Sequence, residues 1–159
     1  MDEWLKTNWD VAISKENKRV GMGIVIRDWN GKLVAARSIT KQGLMEPTIR
    51  EAVASYYAAC FSRDFGAQKL FEGDAMKVVK ALKSSSPNLS RYGHVIEDTK
   101  NVLSSMAIWR SNYVGRESNN AAHVLAKMAV NHVIDKVWLD SCPDCICDII
   151  VKEQNALFH

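Results

Sequence analysis

Near Pro47 the hydrophobic period of this chain changes from two residues to between three and four, which restricts the folds open to it. Before that point Leu5, Thr7, Trp9, Val11 and Ile13 alternate with Lys6, Asn8, Asp10 and Ala12, as in a strand. Gly21 to Arg27 and Lys32 to Ile39 read as two further strands. They are joined through Asp28-Trp29-Asn30-Gly31, and Asn-Gly is a strong hairpin signal. After that point Ile49, Val53, Tyr56, Tyr57 and Cys60 recur at helical spacing behind Pro47, until Gly66 stops the run.

The remainder alternates between the two periods. Lys69 to Gly73 predicts a short strand, and Asp74 reads as the cap of a helix with Ala75, Val78, Val79 and Leu82 on its apolar stripe. A loop at 84–88 leads to a helix over His94 to Met106 and a strand over Ile108 to Val114. A last long helix, Ser118 to Val133, carries Ala122, Leu125, Ala126 and Ala129, and residues 143–157 predict one more. The order βββ-α-β-α-α-β-α predicts an α/β domain with a mixed sheet against which helices pack. Residues 1–134 form its body, and 135–159 a helical appendage packed on the same domain, with Trp138 to Ile150 read as a packing helix.

Composition supports a packed core: 159 residues, 47% hydrophobic and 25% charged, exclude general disorder. The net charge of +3 is uneven. Residues 1–134 carry 19 basic and 13 acidic side chains, against 2 and 5 in residues 135–159, a distribution compatible with nucleic acid. No apolar run reaches the roughly 18–20 residues of a membrane span, and Met1-Asp2-Glu3-Trp4 does not read as a signal peptide. An intracellular chain, cytoplasmic or nuclear, with reduced thiols is the expectation. Cys60 reads as a core residue. Cys142, Cys145 and Cys147 form one C-x-x-C with a single extra thiol, and His123 and His132 lie at the wrong spacing for a zinc site.

Three carboxylates stand out. Asp10 lies mid-strand, where Asp is depleted. Asp74 follows the fourth strand, and Glu51 lies in the first turns of the helix after the hairpin, on the face of Ala54 and Ala58. If the first and fourth strands are neighbours, the three converge, and converging carboxylates need a proton or a hard cation. Each also has an ordinary reading: Asp74 as a helix cap, Glu51 as a surface residue favoured by the helix dipole.

Six blocks carry a resemblance. They are Lys6-x-Asn8-x-Asp10-x-Ala12, Gly23 to Asp28, Gly31 to Ala36, Glu51-Ala52-x-Ala54, Glu72-Gly73-Asp74-Ala75-x-x-Val78-Val79, and Arg116-Glu117-Ser118-Asn119-x-x-Ala122-His123-x-Leu125-Ala126-Lys127. In order and spacing the chain resembles the ribonuclease H superfamily, specifically the plant ribonuclease H-like domains related to those of non-LTR retroelements. The resemblance implies a five-stranded mixed sheet and metal-dependent cleavage of the RNA strand of an RNA–DNA hybrid by a monomer. It implies two Mg2+ or Mn2+ ions with substrate bound, ligated by Asp10, Glu51 and Asp74, and substrate contacts from Asn8, Ala12, Arg116 and Asn119. The family's fourth acidic position is His123 here, and its usual glycine after the first Asp is Val11. His123 either joins the catalytic set or sits beside the apolar stripe of its helix. The alternative reading is a domain of this fold that binds nucleic acid or protein without cutting. Trp29 either packs across its hairpin or offers an exposed ring for stacking on a base.

Overall fold

The computed structural model describes residues 4–65, 68–106 and 108–157. Three antiparallel strands open the chain: β1 (Trp4–Ser14), β2 (Arg19–Arg27) and β3 (Leu33–Gln42). Asp28 builds the tip between β2 and β3, its Oδ1 accepting the backbone N–H groups of Asn30 and Lys32 at 2.9 Å each. Gly31 there adopts φ 78°, a left-handed conformation that a side chain would disfavour.

Helix α1 (Pro47–Ser62) crosses to β4 (Gln68–Gly73). Helices α2 (Met76–Lys83) and α3 (Gly93–Ser104) lead to β5 (Ile108–Tyr113). A 3-10 turn (Arg116–Asn119) runs into α4 (Asn120–His132). These elements follow the order expected from periodicity. Gly66, the expected stop of the first helix, lies outside the described residues, as do Met1 to Glu3.

The C-terminal segment departs from expectation. The sheet has six strands, not five, in the order β5-β4-β1-β2-β3-β6. The sixth, β6 (Lys136–Leu139), pairs antiparallel with β3 from Ala35↔Leu139 to Ser38↔Lys136. Residues 136–139 are therefore strand where a packing helix was expected. A four-residue edge strand with one face in water has too few apolar positions to show a period. Helix α5 (Cys147–Ala156) begins later than predicted, after a 3-10 turn at Asp144–Ile146.

Two cores cover the two faces. Trp9, Val11, Met22, Ile24 and Phe71 pack with Ala54 and Ala58 of α1 and with Ile96 and Leu103 of α3. On the other face Val25 and Ala36 meet Ala122 and Leu125 of α4 and Ile146 and Ile150 near the C-terminus. Because β1 and β2 are covered on both faces, their polar residues are buried along with their apolar ones. Helix α4 approaches β2 unusually closely. A Cβ added at Gly23 would lie 2.3 Å from the Ala122 carbonyl oxygen, and one at Gly21 would lie 2.5 Å from that of Ala126. Among the described residues no helix is long and apolar enough to cross a membrane.

Candidate active site

β1 pairs in parallel with β4 as far as Trp9↔Gly73, and antiparallel with β2 at Asp10↔Gly23. Asp10 and Asp74 therefore emerge together where the parallel ladder ends. Asp74 does not cap α2, whose N-cap residue is Ala75 with no side-chain cap, so its carboxylate is free for another task. Glu51 comes in from α1, held on the sheet by the buried Ala52, Ala54 and Ala58. Carboxylate oxygens of Asp10, Glu51 and Asp74 all lie within 4.8 Å of one another.

Burial and this convergence raise the carboxyls above their ordinary range. Burial, then the charges of Asp10 and Asp74, pushes the Glu51 carboxyl from 4.5 up to about 8, against the opposing pull of Arg50 and Arg116. Asp10 is raised as well, by burial and then by Asp74, while the backbone of Val11 and the His123 ring pull the other way. Asp10 is 1% exposed, and its Oδ1 has no hydrogen-bond partner. An orphaned buried carboxylate oxygen, set among two more carboxylates, is an all-oxygen donor set that suits a hard divalent cation.

His123 belongs to the site. The close seating of α4 on Gly23 brings its first turn over β1, and His123 Nδ1 lies 2.8 Å from Asp10 Oδ2. Arg116, on the turn before α4, donates from Nε to Asp74 Oδ2 at 3.1 Å. Its Nη1 lies 3.5 Å from His123 Nε2. A polar chain thus runs Asp74–Arg116–His123–Asp10 around the rim of the cluster.

Asn8 and Asn119, expected to contact substrate, are each 1% exposed and hydrogen-bonded inside the protein. Asn119 Nδ2 donates to the Trp9 carbonyl at 2.9 Å, and Asn8 Nδ2 donates to Asn119 Oδ1 at 3.1 Å and to Glu72 Oε2 at 3.3 Å. These bonds support the strand that carries Asp10. Ala12 is half-buried, two residues along β1 from Asp10 on the same side of the sheet. Arg116 stays largely exposed beside the carboxylates.

Sequence reasoning missed the layer below. Arg27 donates from Nη2 to Asn8 Oδ1 at 3.3 Å and pairs with Glu153 of α5, so the C-terminal helix is tied to the strand under the site. Arg27 sat in plain view at the end of an apolar strand, but its partner 126 residues away left no local signal.

One other expectation is corrected. Trp29 is 75% exposed and does not pack across its hairpin. It borders a cavity of about 680 Å³ with Trp4, Leu70 and Leu157 that contains none of the three carboxylates. Cys142 and Cys147 are neighbours, but the cysteines form no group of three metal-ligating atoms among the described residues; Cys147 Sγ lies 3.1 Å from the Pro143 carbonyl and Cys145 Sγ 3.6 Å from Met128 Sδ. Burial, with Cys147 as neighbour, pushes the Cys142 thiol up to about 12. Among the described residues the only potential metal cluster is the carboxylate one.

An antiparallel β1-β2-β3 sheet extended in parallel by β4 and β5, with acidic residues from β1, α1 and the end of β4, defines a ribonuclease H-like domain. The chain belongs to the reverse transcriptase-like family of the ribonuclease H superfamily, whose model matches residues 8–129. No curated protein sequence matches it. Solved structures bear out the fold. Ribonuclease H1 of the halophilic archaeon Halobacterium salinarum is 22% identical, with a TM-score of 0.72 over 81% of this chain and 98% of that one. The N-terminal ribonuclease H domain of Rv2228c from Mycobacterium tuberculosis is 15% identical, with a TM-score of 0.72 over 82% and 95%. LC11 ribonuclease H1, solved in complex with an RNA/DNA hybrid, is 17% identical, with a TM-score of 0.67 over 81% and 98%.

Proposed function

We propose that this protein is a divalent-metal-dependent endonuclease that cuts the RNA strand of RNA–DNA hybrids. The observation that carries the reading is the packing of Asp10, Glu51 and Asp74 within 4.8 Å, with Asp10 Oδ1 buried and unpartnered. A folded chain retains such repulsion where a ligand relieves it. Asp10, Glu51 and Asp74 would hold magnesium or manganese. When bound, the cation activates water and stabilises the oxygen that leaves phosphorus.

The chain's own residues supply orientation and charge. The hydrogen bond from His123 fixes the rotation of the Asp10 carboxylate, so that Oδ1 keeps its direction. Asn119 and Asn8 lock the β1 backbone on which Asp10 stands. Arg116, exposed at the rim, attracts a phosphate approaching the carboxylates. Selection of the RNA strand would rest on its 2′-hydroxyl and on hybrid shape, not on base sequence. The hybrid bound by the LC11 enzyme, which shares the fold, supports this substrate class.

A second reading, a domain that binds hybrids without cutting them, is favoured by one observation. Arg116 and His123 already lie against Asp74 and Asp10, which relieves part of the repulsion without metal. One experiment separates the two. A labelled hybrid is incubated with wild type and with Asp10→Asn in magnesium and in manganese. The enzyme reading expects cleavage by wild type that drops by a factor of about 1,000 or more in the variant. A hybrid left intact by wild type in both metals overturns it, and unchanged hybrid binding by the variant would then support the binding domain.

A further inference from the structure

We infer that Glu153, on the C-terminal helix beyond the matched residues 8–129, is a positioning residue for the carboxylate site and acts on it through Arg27, Asn8 and Asn119. Its effect on turnover rests on the cleavage reading above; its effect on geometry does not.

The contacts run in one direction. Arg27, the last residue of β2, is buried, so its charge needs a partner, and Glu153 supplies the anion. A guanidinium only donates, so the Asn8 atom that faces Arg27 Nη2 at 3.3 Å is the amide oxygen. Asn8 Nδ2 is thereby turned toward two oxygens, Asn119 Oδ1 at 3.1 Å and Glu72 Oε2 at 3.3 Å. With its own oxygen accepting, Asn119 presents Nδ2 to the Trp9 carbonyl at 2.9 Å. Reversing either amide would set oxygen against oxygen, so both orientations follow from the charge on Arg27.

The far end of this series lies at the site. Trp9 precedes Asp10 in β1, and Asn119 is the residue from which α4 starts. The bond between them therefore sets how Asp10 stands against the helix that carries His123, whose Nδ1 is 2.8 Å from Asp10 Oδ2. Asn8 and Asn119 are buried, so a lost partner leaves a polar atom without water to replace it. Glutamine at position 153 leaves Arg27 without its anion; the guanidinium then turns to other acceptors and draws the Asn8 amide with it.

The test compares Glu153→Gln with Leu103→Ala, which removes packing from the opposite core and weakens the fold without touching the series. The side-chain amide signals of Asn8 and Asn119 are followed by nuclear magnetic resonance in the full, isotopically labelled, metal-free chain. Both signals are expected to move in Glu153→Gln and to stay in place in Leu103→Ala. With a labelled hybrid, at a temperature where every variant is folded, Glu153→Gln should lower kcat about tenfold and leave KM within about twofold. Leu103→Ala should leave kcat within about twofold. The double variant Arg27→Gln with Glu153→Gln leaves no unpaired buried charge and carries the same expectations as Glu153→Gln. Amide signals that ignore Glu153→Gln overturn the inference, as does an equal loss of kcat in Leu103→Ala or an unchanged kcat in Glu153→Gln. A wild type that leaves the hybrid intact overturns the cleavage reading instead, and amide signals that respond to Glu153→Gln alone then still support the positioning role.

Discussion

Replacing Glu51 by glutamine should stabilise the metal-free protein, by an amount that grows with pH. Burial and the neighbouring Asp10 and Asp74 hold the Glu51 carboxyl at about 8, against 4.5 when unperturbed. Below pH 4.5 the group is protonated in both folded and unfolded chains, and full stability is present. As pH rises from 4.5 to about 8, the unfolded chain releases a proton that the folded chain keeps, and stability falls by about 1.4 kcal/mol per pH unit. The loss reaches about 3 kcal/mol at pH 7 and levels off near 5 kcal/mol above pH 8. Glutamine has no such proton and escapes the loss, less about 1 kcal/mol for imperfect hydrogen bonding of its amide. The assay is urea unfolding followed by tryptophan fluorescence, with a chelator present, at pH 4.5, 7 and 9. The variant should be no more stable than wild type at pH 4.5 and clearly more stable at pH 9. Adding manganese at pH 7 should raise the wild type and leave the variant nearly unmoved. A stability difference that is the same at all three pH values would refute the reasoning.

Three further outcomes follow from the packing. Gly23→Ala places a Cβ 2.3 Å from the Ala122 carbonyl and 2.6 Å from the Ala126 N–H nitrogen of α4, backbone atoms that cannot swing aside. Unfolding titrations should show a loss of about 3 kcal/mol, and hybrid cleavage should fall because α4 carries His123 away from Asp10. Glu153→Gln removes the anion from the largely buried Arg27 and should cost about 2 kcal/mol by the same titration; a change under about 0.5 kcal/mol would show the pair to be inert. Trp29→Ala, at an exposed ring, should change stability by less than about 0.5 kcal/mol. Fluorescence anisotropy of a labelled hybrid then decides whether that ring touches nucleic acid, since loss of a stacking aromatic weakens binding measurably.

Much of the fold was legible because burial imposes a local period. The alternation in β1, the Asn30-Gly31 tip and the apolar stripes of α1 and α4 each lie within a dozen residues, and each element formed where its period said. Asp10 was legible because Asp is depleted in mid-strand, although the alternation set it on the polar side with Lys6 and Asn8; the structure buries it. The misreadings share a different cause. Asp74 was read both as a helix cap and as one of the converging carboxylates; its sequence neighbours allow the cap, which the structure does not use, while Arg116, 42 residues away, is its partner. That Asn8 and Asn119 are buried was not legible, because residue type alone does not distinguish a buried amide from an exposed one. Residues 136–139 were placed outside the sheet because their only claim to it is the free edge of β3.

The sequence by itself determined the order of strands and helices as far as α4, and it singled out Asp10, Glu51 and Asp74. These are properties of residue type and short-range spacing. Only the tertiary structure decided that His123 stands against Asp10 and not merely beside an apolar stripe, because that contact depends on two glycines of β2 letting α4 settle on the sheet. It also decided that Arg116 lies on Asp74, and that Arg27 and Glu153 join the C-terminal helix to the strand under the site. Such pairings span 42 to 126 residues, and a charge reads its partner by distance in space, which no local pattern records.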